Sequence, residues 1–334
     1  MWYSFLFLLY HIVMTSADTQ CPYTNGFEDR RTNTSNYRFM QFNVEWLFID
    51  YYSSADCPGN GCPWNNQSEA QTHLEYIEKV ISIINPDTVH MCEVEGCDEL
   101  SELVSNEYVA YLIKGTDTAT GQNVGLLTKI DPIVDLYRTE DRVEYPIPGS
   151  KCGYTGASGT SGVSKHLITE IKVSNVSIAL IGTHLLAYPT DKTRCAEREA
   201  QAQVLQKVIN NYILLGYEVI VSGDFNDFDG EVVDANDNLP ISMVLDILKG
   251  ISGTYRYTLR TVGEKIGKDE RFSDWYDKNG NCQSTYSEFS QIDHILVSSN
   301  LYDRISQAFM YHDYKEFCGT YNSDHYPVVV DFML

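Results

Sequence analysis

The chain has 334 residues and carries 46 Asp and Glu against 24 Lys and Arg, a formal charge of −22. That is ample material for a buried core, but it excludes the broad basic surface by which many proteins hold nucleic acid. Phosphate chemistry stays open, because divalent cations held at one cleft invert the field there.

Residues 1–17 stand apart. From Trp2 to Val13 the chain is almost unbroken apolar sequence, leaving through the small-residue exit Met14 Thr15 Ser16 Ala17. This reads as a secretory signal peptide cleaved near Ala17, with a signal anchor as the competing reading. It is shorter than the roughly 20 apolar residues of a membrane span, and no other segment is apolar enough to span. The expected organisation is a leader, 1–17, and one domain, 18–334, in a secreted or secretory-lumen protein. In that oxidising setting the nine cysteines are expected to form disulfides. Cys57 with Cys62 and Cys282 with Cys318 are plausible pairs, and the odd count leaves one thiol over. Neither Cys57 with Cys62 nor Cys92 with Cys97 has the second ligand pair of a zinc site nearby. Sequons begin at Asn33, Asn66 and Asn175, in keeping with a secreted glycoprotein.

Residues 37–44 alternate well enough for a first strand, which ends at Asn43 and Glu45. The Gly-, Pro-, Cys- and Asn-rich stretch 50–66 reads as a surface loop. From Ser68, Leu74, Ile77, Val80, Ile81 and Ile84 mark one face of a helix, stopped by Asn85 Pro86 Asp87. A strand over 88–94 ends in the acidic residues Glu93 and Glu95; His90, flanked within it by Val89 and Met91, reads as a core histidine. Strands are expected at 108–113, 124–130 and 133–137, followed by a Gly/Ser-rich mobile surface excursion over 149–164. A hairpin over 166–173 and 176–185 turns at Ser174 Asn175 and finishes at Thr183 His184. The helical spacing of Val204, Leu205, Val208, Ile209 and Tyr212 predicts a helix over 195–215, which leads into the β-branched strand 217–221. That strand meets Gly223 and then Asp224, Phe225, Asn226 and Asp227. On an extended backbone Asp224 and Asn226 share a face while Phe225 points inward; the competing reading is an Asp/Asn turn. A short helix at 243–248 and strands at 292–297 and 326–332 complete the chain, the last entered through Ser323 Asp324 His325.

Strand runs mixed with helix-then-strand units predict an α+β domain of two packed sheets flanked by helices. Its strands end repeatedly on polar residues: Asn43, Glu93, His184, Asp224 with Asn226, Asp293, and Asp324 with His325. Each has a structural reading when taken singly. As a set they suit one chemistry at one rim of a scaffold. Carboxylate and amide oxygens suit a hard cation such as Mg²⁺, which pairs with phosphate, and two histidines beside carboxylates suit proton transfer to and from water and a phosphate ester.

The motifs around these residues also carry a family resemblance. Phe42 Asn43 Val44 Glu45 Trp46, Cys92 Glu93 Val94 Glu95, Gly182 Thr183 His184 Leu185, Gly223 Asp224 Phe225 Asn226 Asp227, Ile292 Asp293 His294 and Ser323 Asp324 His325 Tyr326 Pro327 resemble, in order, the motif series of the endonuclease/exonuclease/phosphatase superfamily. The resemblance implies a four-layered αββα sandwich, DNase I-like, with its site at one rim. It implies Asn43, Glu93 and Asp324 as ligands of Mg²⁺, with Ca²⁺ or Mn²⁺ as alternatives. It further implies His325 as the base for water, oriented by Asp293; His184 on the phosphate; and Asp224 with Asn226 positioning water and scissile phosphate. The Arg- and Gln-rich stretch 194–203 resembles the helix after the His motif in bacterial extracellular members.

Two positions depart from that pattern. Glu95 stands where vertebrate DNase I-type enzymes have an arginine, and Gln122 and Asn123 lie where those enzymes have a glutamate paired with the first histidine. Ser290 Gln291 before Ile292 speaks against the inositol-polyphosphate phosphatase branch. The expectation is a secreted Mg²⁺-dependent phosphodiesterase, a nuclease with nucleic acid as substrate and no stable protein partner. The alternatives are a sphingomyelinase-type phospholipase C acting on a phospholipid head group, with Tyr51, Tyr52 and Trp64 as candidate membrane contacts, and a non-catalytic binding protein on the same fold.

Overall fold

Two sheets carry the chain in the computed structural model, which describes residues 20–21, 26–48, 62–103, 105, 107–313 and 322–334. The first orders β1 (Gln20–Cys21), β4 (Val109–Ile113), β5 (Asn123–Thr128), β3 (Thr88–Val94), β2 (Asn36–Leu47), β16 (Val328–Met333) and β15 (Ile305–Met310). The second orders β11 (Leu259–Thr261), β14 (Asp293–Ser298), β10 (Glu218–Asp224), β9 (Val176–His184) and β8 (Lys165–Val173). Two short ribbons pair β6 (Val143–Tyr145) with β7 (Gly159–Ser161), and β12 (Asp274–Trp275) with β13 (Phe289–Ser290). Helix α1 (Gln67–Ile84) covers the first sheet and α3 (Lys192–Leu214) with α4 (Val244–Leu248) the second; α2 (Cys97–Glu102) and α5 (Ser299–Tyr302) are short.

Side-chain alternation sorts the strands into three apolar layers. On β2, Tyr37 and Phe39 face the other sheet, while Met40, Phe42 and Val44 pack with Leu74, Ile77, Val80 and Ile81 of α1. On β10, Ile220 joins the layer between the sheets, and Val219 and Val221 pack with Val204, Leu205 and Ile209 of α3. The result is the αββα sandwich. α1 starts where Asn66 Oδ1 accepts the Glu69 amide at 3.1 Å and ends at Asn85 in the left-handed region, φ 49°.

Three expectations change. Residues 133–137 form no strand; Tyr137 makes an isolated bridge to Ile168. The stretch 149–164 is anchored: β7 lies within it, and Cys152, 2% exposed, is disulfide-bonded to Cys195. Trp64 is buried, donates Nε1–H to Trp46 O at 2.7 Å and stacks on His73, so it presents nothing to a membrane; Tyr51 and Tyr52 lie outside the described residues. Cys21 pairs with Cys97, a bond the sequence did not suggest. Cys62 and Cys282 are disulfide-bonded, but the expected pairs each include a residue, 57 or 318, outside the described ones, as does the whole leader 1–17. Cys92 is the free, buried thiol among the described cysteines.

Candidate active site

The layer between the sheets is apolar along most of its length and turns polar at one end. On β2 it runs Tyr37, Phe39, Gln41, Asn43; on β9, Ile178, Leu180, Gly182, His184; on β10, Ile220, Ser222, Asp224; on β14, Val297, Ile295, Asp293. Register then aligns the second sheet's polar ends, because Asp224 is the partner of both Asp293 and His184, and His184 of Lys165. The row Asp293, Asp224, His184, Lys165 crosses four strands. Gly223 permits it: a Cβ there would collide with the Thr183 carbonyl of the neighbouring strand.

Irregular backbone aims the facing residues. Cys92 pairs with Val124 and Val94 with Asn123, so Glu93 is the extra residue of a β-bulge, with φ 66°. A second irregularity between Asn43 and Leu47 puts Glu45 and Trp46 at φ 50° and 49°. Non-glycine residues in this region store strain, which here directs Glu93 and Glu45 to the rim. Asn226 is also left-handed, φ 50°, and its amide N–H donates to Asp224 Oδ1 at 2.8 Å. The strand therefore ends at Asp224, and Asn226 does not share a strand face with it. The Asp/Asn turn and the site are one feature.

His325 sits among carboxylates. Its Nδ1 lies 2.6 Å from Asp293 Oδ2, and its Nε2 lies 3.7 Å from Asp274 Oδ1 and 3.9 Å from Asp324 Oδ1. Against the desolvation of burial, Asp293, then Asp324 and Asp274, hold the imidazole well above its usual range. His184 goes the other way. Burial, then Lys165 and the neighbouring histidines, hold it well below, and its Nε2 points at Asp224 Oδ2, 3.5 Å away, and Glu93 Oε1, 3.9 Å. Its Nδ1 has no hydrogen-bond partner among the described residues. Asn43 Nδ2 donates to Glu93 Oε1 at 3.2 Å and Asp224 Oδ2 at 3.1 Å, and stands 3.4 Å from His325 Nε2.

The acids repel one another. Burial, then Asp324 and Glu93, raise Glu45 well above the carboxylate range; burial and Asp293 do the same to Asp224. Asp274 is raised by burial and, less, by Asp293. Asp324 is pushed up to about 7 by burial, Asp274 and Glu93, against His325. Its side chain keeps 38% of its exposure, so water screens part of that rise. Crowded oxygen donors of this kind fit a hard divalent cation, and Asp274, Asp324 and His325 bring ligand atoms within 4.8 Å of one another. Asn43 Nδ2, donating to two carboxylates, does there what a cation would do; as a ligand Asn43 would turn its amide over and offer Oδ1.

All eight residues singled out for the site lie at this rim: Asn43, Glu93, His184, Asp224, Asn226, Asp293, Asp324 and His325. Sequence reading missed Asp274, which the β12–β13 ribbon delivers through a bridge to His325; a lone Ser273 Asp274 Trp275 carries no pattern that marks it. It also passed over Glu45 as a working group, although Glu45 Oε2 accepts the Asp324 amide at 3.0 Å. Gln122 contacts Glu93 rather than His184, donating Nε2–H to Glu93 Oε2 at 2.8 Å and accepting from Lys165 Nζ at 3.2 Å. Behind His184, the fully buried Arg198 guanidinium donates to the carbonyls of Leu186, Ala187, Tyr188 and Pro189 and to Asp227, fixing the loop.

No protein-family model and no curated protein matches the chain. Solved structures do. An AP endonuclease from Archaeoglobus fulgidus aligns with TM-score 0.55 and 15% identity over 89% of this chain and 100% of that one. An endonuclease/exonuclease/phosphatase protein from Bacteroides vulgatus aligns with TM-score 0.55 and 16% identity, over 90% and 99%. D. rerio TDP2 complexed with a single-strand DNA product aligns with TM-score 0.51 and 16% identity, over 89% and 99%. With its sandwich, its sheet order and these neighbours, the chain has the DNase I-like fold of the endonuclease/exonuclease/phosphatase superfamily.

Proposed function

We propose that the protein is a secreted, Mg²⁺-dependent phosphodiesterase, a nuclease that hydrolyses DNA or RNA. One observation carries the reading: two histidines held in opposite protonation tendencies flank a single acid-lined rim, His325 above its usual range and His184 below it. A bound Mg²⁺, for which Asn43, Glu93 and Asp324 are the ligands of this reading, would neutralise phosphoryl charge and polarise the phosphorus–oxygen bond.

The side chains do the rest. Asp293 occupies His325 Nδ1, so proton exchange falls to Nε2, the nitrogen that faces the cleft. In its unprotonated form His325 removes the proton of the attacking water. His184 is neutral, which makes it a hydrogen-bond donor to a phosphoryl oxygen through Nε2 rather than a charged acid. Asp224 and Asn226, locked together by the Asx turn, position water and scissile phosphate. Lys165, at the end of the row, is paired with Asp117 at 3.4 Å, and its charge acts on His184 and helps to keep that imidazole neutral.

The fold neighbour named an AP endonuclease and the one complexed with a single-strand DNA product support a nucleic-acid substrate. The disulfides and the apolar leader support an oxidising, extracytoplasmic setting. The test is a substrate panel with and without EDTA. Purified protein with Mg²⁺ is expected to nick plasmid DNA or degrade RNA and to stop with EDTA. Inactivity on both, with choline released from sphingomyelin, would overturn the nuclease reading in favour of a phospholipase.

A further inference from the structure

Building on the hydrolase reading above, we infer that Gln41 and His90 are positioning residues for the Asp293–His325 pair, joined to it in a buried hydrogen-bond relay of fixed polarity. Gln41 Nε2 donates to Asp293 Oδ1 at 3.2 Å, and Asp293 Oδ2 faces His325 Nδ1 at 2.6 Å. On its other side Gln41 Oε1 lies 2.5 Å from His90 Nδ1. Gln41, His90 and Asp293 are each at most 1% exposed, so solvent does not compete for these atoms.

The polarity follows from the atoms. An ionised carboxylate only accepts, so the Gln41 edge facing Asp293 is its NH₂ group. That leaves the Gln41 carbonyl for His90, whose Nδ1 carries the hydrogen. Among the described residues His90 Nε2 has no hydrogen-bond partner, so the nitrogen without an acceptor keeps its lone pair. Its ring crosses from the first sheet to the second and lies against Gly182, where a Cβ would collide with it. Burial lowers His90 to about 3, so the imidazole stays neutral over the working range. An amide turned the other way would set Gln41 Oε1 against the Asp293 carboxylate and its NH₂ against the His90 N–H. His90 thus latches the amide in one of its two orientations. That orientation occupies Asp293 Oδ1 and leaves Oδ2 to His325.

A purely structural role accounts for this poorly. Burying two polar side chains just inward of the rim, where the layer turns apolar, costs free energy relative to aliphatic residues of similar volume, and their hydrogen bonds lead to the Asp293–His325 pair rather than closing on themselves.

The test compares His90→Leu with His90→Asn, whose Nδ2 keeps a donor close to the place of the imidazole Nδ1. In His90→Leu, kcat on a phosphodiester is expected to fall about ten-fold with KM unchanged, and the downfield Nδ1–H proton resonance of His325 to broaden by exchange. In His90→Asn both are expected to return toward wild type, and Gln41→Leu should repeat the His90→Leu result. An unchanged resonance and kcat in His90→Leu overturn the relay. So does a loss shared equally by His90→Leu and His90→Asn, which marks packing alone. The resonance is read without substrate, so it decides the relay even where the wild-type protein cleaves no phosphodiester; that separate outcome would sink the hydrolase reading instead.

Discussion

His325 and Asp324 are neighbours in sequence, and each carries its own test. If His325 is the base, His325→Gln, which keeps a donor for Asp293 but cannot cycle a proton, should lower kcat by roughly 10²–10⁴-fold. Thermal melting should stay near wild type, and turnover within a few-fold of wild type would remove the role. Asp324 carries a different signature. Its folded pKa of about 7 lies above the ordinary 3.8, so between those values the folded chain holds a proton that the unfolded chain has released. Stability from this group is therefore present at low pH and lost as pH rises from about 4 to about 7. In chelated protein Asp324→Asn should gain in melting temperature relative to wild type across that window, and a difference flat with pH would contradict the crowding of acids at the rim. These two residues were legible in sequence as a polar strand entrance. Asp274 was not, because its value comes from lying 3.7 Å from an imidazole 51 positions away in the chain.

At the scale of elements, periodicity identified the main helices and most of the strands, and it failed where pairing partners are short or distant. Residues 133–137 have a strand's composition but find one bridge instead of a ladder, and an unpaired strand does not form alone. The Gly/Ser content of 149–164 suggested mobility, which the Cys152–Cys195 bond and the β6–β7 ribbon remove. Replacing both cysteines by serine should cost about 2–4 kcal/mol in denaturant unfolding. A loss confined to a few tenths would mean that the ribbon alone anchors the segment. The bulge at Glu93 belongs here too. A sequence cannot show that one residue of β3 has no partner on β5, yet that mismatch turns Glu93 to the rim.

For the whole molecule the charge of −22 sets an expectation that a basic DNA-binding protein would not share. Its body repels a polyanion, and salt weakens that repulsion as the screening length shrinks from about 30 Å at 10 mM to about 10 Å at 100 mM. At sub-saturating substrate and fixed Mg²⁺, cleavage of long DNA should rise across that range of NaCl. A steep fall would instead indicate binding through a basic surface. Long-range repulsion is compatible with phosphate binding at a rim that a bound divalent cation would make locally positive, because the first acts across the encounter and the second only at contact.

What the sequence determined by itself was composition and period: an α+β chain, alternating strands, and a set of strand ends where the alternation delivers Asn, Asp, Glu or His in place of an aliphatic residue. Those features are local, and a strand's two-residue repeat writes them directly into the chain. The tertiary structure decided which ends meet. Register put Asp293, Asp224, His184 and Lys165 in one row, a short ribbon added Asp274, and the packing of His90 on Gly182 turned a histidine that reads as core into a neighbour of the site. Each depends on contacts between residues far apart in the chain, where the cost of an added charge or a missing Cβ is set by the opposite strand and leaves no local trace.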